Sequence, residues 1–437
     1  MSIFKILAYL NIILFLLVML FVKGNKKRLY IQFILISYPI LAIYISPYMD
    51  GFDAITWIFA LIFYRRKKIS FPSGFIYIVL FFALLGITLA GALVTNTVEL
   101  PDFIPSFVNM LSVFMFAKIL IDECIEDHTF FYTVLSFFKT ALIICLLFLC
   151  CQFVLGVDFT LSKSQNNNIL ITDAIRYPSI FSDPQVCSAF LSILSFLCLI
   201  KDYRDDKMPM KNYILATLAV IAILSTGGRA GLLGWALGLF LVAMFGNSKY
   251  RVTVIVTSLA LYLVAYNFQD SFSIFKRSGD MEETYEFRYA IWKDAFQIFL
   301  QHPFFGIGMG NYSHYVSIHN PDQFWDLDGE VVYFDHPESG YLKFLTEMGG
   351  AGFVMIFSLI LAPVFRGFVT YIKTRDTSII LMIACIMSWM VGFWSNYSFA
   401  DSRVKILIVT IVCLLITSGN RIEAEKAAMQ EITDDDE

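Results

Sequence analysis

The sequence predicts an all-α polytopic membrane protein with about 12 or 13 transmembrane helices and a long, partly helical outer loop. Hydrophobic residues make up 58% of the 437 residues, and charged residues make up only 16%. A soluble domain carries about a quarter charged residues, so much of this surface must face lipid. Apolar runs of the length that crosses a bilayer also recur from end to end.

The first apolar run lacks a small-residue cleavage site and is followed by lysines, so we expect it to be retained as a span. The third run is short, which is why the lower count of about 12 stays open. In chain order the predicted spans are 3–22, 29–47, 54–64, 74–94, 104–121, 130–154, 185–200, 213–225, 230–246, 252–267, 341–364, 378–395 and 404–418.

These spans divide the chain into five regions. Residues 1–154 hold the N-terminal helices, and 155–267 hold further helices, an outer loop at 155–184 and a hairpin that carries Arg229. A large outer loop follows at 268–340, then the C-terminal helices at 341–418 and an acidic cytoplasmic tail at 419–437. A loop as long as 268–340 is unusual unless it carries function.

Basic residues predict the orientation, because cytoplasmic connections are enriched in lysine and arginine. With the spans above, five basic clusters fall on one side, which is therefore cytoplasmic, and the N-terminus falls outside. The clusters lie at 23–28, 65–68, 201–211, 249–251 and 366–375. The net charge of −4 argues against nucleic-acid binding. The cysteines and histidines show no spacing typical of a zinc site.

The long loop has a pattern of its own. Aromatic residues from Tyr285 to Phe299 recur at helical spacing and predict a helix at 284–301, which Pro303 follows. The glycines at 306–310 lack the spacing of a dinucleotide fingerprint and indicate a turn instead. Pro337 is expected to start the next helix, which would place His336 at its N-cap.

Arginines near the outer face are the first candidates for chemistry. Arg229 lies at a hairpin tip among glycines, and Arg288 lies on the predicted loop helix. A guanidinium presents a fixed fork that suits phosphate. Arg229 could instead snorkel or form a structural pair, and Arg288 could form a solvated salt bridge. Arg176 could bind a phosphate or pair with Asp173 or Asp183. His336 could transfer a proton near neutral pH or act only as a helix cap.

The motifs resemble those of the O-antigen ligase and O-antigen polymerase superfamily. Residues 225–231, which read STGGRAG, are similar to the family's arginine motif. The block from Arg288 to Asn311 resembles its loop signature, and residues 336–349, which begin HPESGYL, resemble its histidine motif. Arg176 with Phe181 and Pro184 matches a weaker upstream motif. The resemblance covers residues 176–352.

This resemblance implies a membrane glycosyltransferase of the bacterial inner membrane, with its active site facing the periplasm. The donor would be a glycan on undecaprenyl pyrophosphate, and an acceptor hydroxyl would displace the pyrophosphate with inversion. Carried over by motif, Arg229 and Arg288 would bind the pyrophosphate and His336 would activate or orient the acceptor. Arg176, Glu338 and Tyr341 are further candidates for substrate binding. The resemblance implies no metal or other cofactor.

The identity of the acceptor separates two functions within this superfamily. A polymerase joins lipid-linked repeat units and works with a chain-length regulator protein, whereas a ligase transfers the chain to lipid A core. The motifs are shared by both, and we favour the polymerase. A flippase for lipid-linked glycans is an alternative of another class. Its typical interrupted helices and repeats are not evident in the sequence.

Overall fold

The computed structural model describes residues 3–64, 75–95, 100–161, 175–205, 207–246, 281–320, 324–327, 330–333 and 336–435, with single positions between 252 and 274. The described chain is predominantly α-helical and forms an all-α polytopic membrane protein, which confirms the predicted fold class. Two short antiparallel hairpins, β1–β2 and β3–β4, are the strands within these residues, at Tyr44–Ser46, Met49–Asp50, Phe324–Leu327 and Glu330–Tyr333.

The helices follow the apolar runs along most of the chain. They are α1 Ile3–Phe21, α2 Lys26–Ile36, α3 Gly51–Ile58, α4 Phe75–Thr95, α5 Leu100–Glu126, α6 Phe130–Leu155, α7 Pro184–Cys198, α8 Met210–Thr226, α9 Arg229–Phe245, α10 Met281–Gln301, α11 Tyr312–His319, α12 Gly340–Thr374, α13 Thr377–Trp394 and α14 Ser402–Asp435. Helix α10 confirms the helix predicted for the outer loop. Helix α14 runs through the segment predicted as an acidic tail.

Six of the helices in the described ranges are long and apolar enough to cross a membrane, and these are α1, α5, α6, α12, α13 and α14. Shorter apolar helices account for the predicted spans at 54–64, 74–94, 185–200, 213–225 and 230–246. The predicted span at 252–267 lies largely outside the described residues. The total of about 12 or 13 spans therefore stays a prediction.

One predicted span, 29–47, is wrong as a continuous helix. Helix α2 ends at Ile36, and a 3₁₀ turn at Tyr38–Ile40 and hairpin β1–β2 follow it. Pro39 lies inside that turn, and proline cannot donate the backbone hydrogen bond that a helix interior needs. The apolar composition of 37–47 reflects packing against the bundle, since Tyr38 and Leu41 are fully buried.

Helices α7 and α13 form the centre of the bundle, because most of their residues are buried. Helix α9 packs against both, and three of its glycines allow the close approach. A Cβ at Gly231 would lie 2.8 Å from the Ser188 carbonyl carbon on α7. A Cβ at Gly234 would lie 2.2 Å from the Ser388 carbonyl oxygen on α13. These contacts fix where the first turn of α9 sits.

Candidate active site

Arg229 is the first residue of α9, directly after a tight turn from α8. Gly227 ends α8 in the left-handed region, with φ +66°, which favours glycine. Gly228 is the N-cap, and a Cβ there would lie 2.2 Å from the Ser188 hydroxyl. The glycines beside Arg229 are therefore required by the turn and by packing on α7.

The register between α9 and α13 shows what lies near Arg229. The two helices run antiparallel, with Gly234 beside Ser388 and Gly238 beside Ala384. The same register places Arg229 at the height of Phe393. Gly340, the first residue of α12, packs on the Phe393 ring, where a Cβ would lie 2.2 Å from its Cζ. The starts of α9 and α12 thus lie at the same end of the bundle.

Arg176 ties the 175–183 segment to this end. It is 4% exposed, and its Nε donates a hydrogen bond to the Thr226 carbonyl at 3.0 Å. Asp183 accepts from the Gln185 backbone at 2.8 Å and so caps α7. Burial raises the pKa of the Asp183 carboxyl, and nearby Arg176 opposes that rise. Glu338 and His336 are also close enough to act on the Asp183 charge.

Arg288 lies on α10 and reaches the same place from the 268–340 loop. Its Nη2 lies 3.3 Å from the Glu338 carboxylate, and its Nη1 lies 3.4 Å from the Ser395 carbonyl. His336 Nε2 lies 3.7 Å from the other Glu338 oxygen. Glu338 therefore lies between Arg288, the candidate phosphate-binding residue, and His336, the candidate base.

The predicted start of the helix after this motif is wrong. Helix α12 begins at Gly340 with Ser339 as its N-cap, so neither does Pro337 start it nor does His336 cap it. Glu338 has φ +49°, a left-handed conformation that is uncommon for a residue with a side chain. In that conformation the Glu338 carboxylate faces Arg288 and His336, and helix α12 begins only at Gly340. Strained residues of this kind cluster at functional sites.

Helix α12 is broken at Gly349, which has φ +64° and non-helical ψ. A straight helix would separate Tyr341 and Phe357 by about 24 Å, yet their rings stack with centroids 5.2 Å apart. Residues 340–348 therefore fold back alongside 350–374, so the helix is not straight through the predicted span at 341–364. Tyr341 also donates to the Met390 carbonyl at 2.8 Å. Its proposed contact with substrate stays a prediction.

The glycine segment after α10 spans this break with backbone hydrogen bonds. Ile307 and Gly308 donate to the Thr346 and Glu347 carbonyls at 2.8 and 2.9 Å. In return, Gly350 donates to the Pro303 carbonyl at 2.7 Å. The backbone groups that a broken helix leaves unpaired are thereby satisfied. We define residues 303–308 as the splint.

Sequence reasoning missed Arg403, which is 3% exposed at the start of α14. It forms a bidentate ion pair with Asp401 and donates to the Pro39 and Ile180 carbonyls at 3.0 and 2.7 Å. Its guanidinium also lies 4.4 Å from the centroid of the Phe181 ring. Arg403 thus anchors the segment that carries Arg176. An arginine that opens an apolar run was a usable signal, because it is costly there unless it is paired.

The arrangement collects Arg176, Arg229, Arg288 and His336 at one end of the bundle, close to the helix N-termini at Gly228 and Ser339. Helix N-termini and arginine forks both favour anions. The carboxyls of Asp183 and Glu338 lie among them. Within the described residues, no group of three or more His, Cys, Asp or Glu side chains could hold a metal ion.

Fold and site together define a multi-pass α-helical membrane protein with a cationic site at one end. A family model described as O-antigen ligase matches residues 214–357. This region is thus similar to the O-antigen ligase family, in agreement with the resemblance that the motifs predicted. The matched residues include Arg229, Arg288 and His336 but not Arg176. A comparison with curated proteins gave no match.

Proposed function

We propose that the chain is an O-antigen-type polymerase of bacterial surface polysaccharide. It transfers a glycan from undecaprenyl pyrophosphate to a hydroxyl of an acceptor lipid-linked repeat unit, with inversion and without a metal. One observation carries this proposal: Glu338 bridges Arg288 and His336, at the end of the bundle where Arg229 begins α9. In this proposal Arg288 binds phosphate and His336 acts as the base, and both lie inside the region that matches the family.

The chemistry assigns separate roles to the two kinds of side chain. The acceptor oxygen attacks the anomeric carbon, and the bond from that carbon to the pyrophosphate oxygen breaks. The pyrophosphate leaves with the bonding electrons, and Arg229 and Arg288 stabilise its growing charge, which is often the largest catalytic contribution. His336 receives the proton of the acceptor hydroxyl. Arg176 holds the turn from which Arg229 projects, through its hydrogen bond to the Thr226 carbonyl.

The proposed location is the inner membrane, with the site facing the periplasm. Helix directions place Arg176, Arg229 and His336 at the bundle end opposite the basic connections at 23–28, 201–211 and 366–375. Basic connections favour the cytoplasm. A donor whose lipid anchor lies in the membrane could therefore deliver its pyrophosphate to the site from the outer leaflet.

Two alternatives differ in what happens to the glycan. The description of the matching family names a ligase, for which lipid A core is the acceptor. The break in α12 is an interrupted helix, which is a feature of transporters that the sequence did not reveal. We favour an enzyme because the break is splinted on both sides by backbone hydrogen bonds and holds Glu338 and His336 beside Arg288.

The test uses full-length protein in nanodiscs with purified lipid-linked repeat units. The wild-type protein should release undecaprenyl pyrophosphate and form longer glycans. Arg229→Ala and Arg288→Ala should each slow release by about 10²–10³-fold, the effect of removing one charge-stabilising donor. The outer-face variant Tyr48→Ala serves as the control. Wild-type rates in both arginine variants would refute the assignment, and transfer to lipid A core alone would identify a ligase.

A further inference from the structure

The rings of His336 and Tyr397 lie side by side at the site. Their centroids are 5.8 Å apart and their planes are inclined by 44°. The His336 side chain is 20% exposed, and Tyr397 is also partly exposed. An aromatic surface therefore adjoins the residue proposed to receive the acceptor proton.

Charged and aromatic neighbours hold the Tyr397 ring in place. The Lys343 ammonium lies 5.0 Å from the ring centroid, and it pairs with the Glu347 carboxylate at 2.9 Å. Phe344 meets the ring edge-on, with centroids 5.9 Å apart and an interplanar angle of 83°. Because Lys343 and Glu347 are almost fully buried, this support is rigid. The Tyr397 ring is thus oriented before any ligand arrives.

Asn396 precedes Tyr397 and supplies the second observation. Its side chain is buried, at 6% exposure. Its Nδ2 has no hydrogen-bond partner within the described part of the chain. Buried amide donors are seldom left unsatisfied in native proteins. A ligand oxygen that reached Nδ2 would remove that deficit.

We propose that Tyr397 and Asn396 form the subsite for a pyranose sugar of the acceptor. The apolar face of the sugar stacks on the Tyr397 ring, one sugar hydroxyl accepts from Asn396 Nδ2, and the attacking hydroxyl faces His336. A sugar fits both features, because it has a C–H face for an aromatic ring and hydroxyls that both donate and accept. A pyrophosphate has no such face. This inference rests on the proposed transferase function.

The experiment separates acceptor binding from donor binding. Repeat-unit glycan released from its lipid can act only as an acceptor, whereas undecaprenyl pyrophosphate alone probes the donor site. In the full-length protein, Tyr397→Ala should raise the KM for released glycan about tenfold and leave the affinity for undecaprenyl pyrophosphate unchanged. Tyr397→Phe keeps the ring and should remain near the wild-type KM. Tyr48→Ala, another tyrosine at this end and outside the site, is the matched control.

Asn396→Ala distinguishes a binding role from a structural one, and it covers the case in which Tyr397→Ala does not fold. Removing an unpaired donor should leave the thermal stability of the ligand-free protein unchanged or raised, while the KM for released glycan rises. An unchanged KM in both Tyr397→Ala and Asn396→Ala would overturn the subsite. A parallel loss of undecaprenyl pyrophosphate affinity would assign these residues to the donor instead. A wild-type protein without turnover would overturn the transferase function itself.

Discussion

Two arginines at opposite ends of the bundle, Arg421 and Arg288, are held in different ways. At the end opposite the site, Arg421 is 3% exposed and contacts Asp376 at 2.5 Å, Ser378 at 2.7 Å and Tyr132 at 3.0 Å. At the site, the Arg288 side chain is 23% exposed, and its contacts with Glu338 and Ser395 are 3.3 and 3.4 Å long. The protein binds both terminal nitrogens of Arg421, whereas Arg288 keeps donor capacity for a ligand.

The contrast separates arginines that stabilise the fold from those that serve a ligand. A buried pair that loses one partner leaves an uncompensated charge, so such arginines are costly to change. A loosely held arginine can exchange one carboxylate for an incoming phosphate at little cost in stability. We therefore expect opposite consequences for substitutions of Arg421 and Arg288.

The largest effect should come from His336, which lies at the ligand-serving end. His336→Ala should keep undecaprenyl pyrophosphate binding and lower turnover by at least about 10²-fold, the lower limit for a placed general base. Binding and turnover are measured separately on the same preparation.

Two results would reassign the roles around His336. If turnover persists in His336→Ala while Glu338→Gln abolishes it, the base is Glu338. If undecaprenyl pyrophosphate binding collapses in His336→Ala, His336 belongs to the pyrophosphate site. Either result would change the roles assigned within the site, but the contrast between Arg288 and Arg421 would remain.

A matched pair of conservative changes tests the contrast itself. Arg288→Lys should lower turnover by about tenfold or more with little change in stability, because an ammonium lacks the fork that binds phosphate oxygens. Arg421→Lys should lower stability by about 1–3 kcal/mol and leave turnover per folded molecule unchanged, because lysine cannot keep all of its contacts. Thermal unfolding and turnover are compared for both variants. The contrast fails if both variants lose the same property.

Local patterns in the sequence predicted part of this structure. Helix α10 was predicted because its aromatic residues recur with the period of a helix, and Arg229 was placed at a hairpin because glycines interrupt two apolar runs. Such signals depend only on neighbours in the chain. The superfamily motifs added Arg288 and His336, although their proximity through Glu338 became visible only in the structure.

Long-range contacts determined what the sequence did not reveal. The break at Gly349 depends on the splint, which lies some 40 residues earlier in the chain and supplies the hydrogen bonds that replace the helical ones. The late start of α12 depends on Glu338, whose carboxylate binds Arg288 on α10. Neither partner set can be read from residues 336–349 alone.

The smallest effect is expected from removing metal ions. The site assigns the charge of the leaving group to arginine side chains, so turnover in excess EDTA should equal turnover without it. Loss of activity in EDTA, restored by magnesium or manganese, would contradict that assignment. It would also weaken the contrast, since a metal could then do what Arg288 is proposed to do.

The splint also determines which parts of the outer loop can change in length. It directly follows α10, which carries Arg288, and it is bonded to α12, which follows Glu338 and His336. Arg288 on one side of the site, and Glu338 with His336 on the other, are thus both attached to the splint. The chain between His319 and His336 does not set their spacing. Residues can be inserted or deleted there while Arg288, Glu338 and His336 stay in place. Homologous chains with loops of very different length could in this way keep one reaction geometry while handling different glycans.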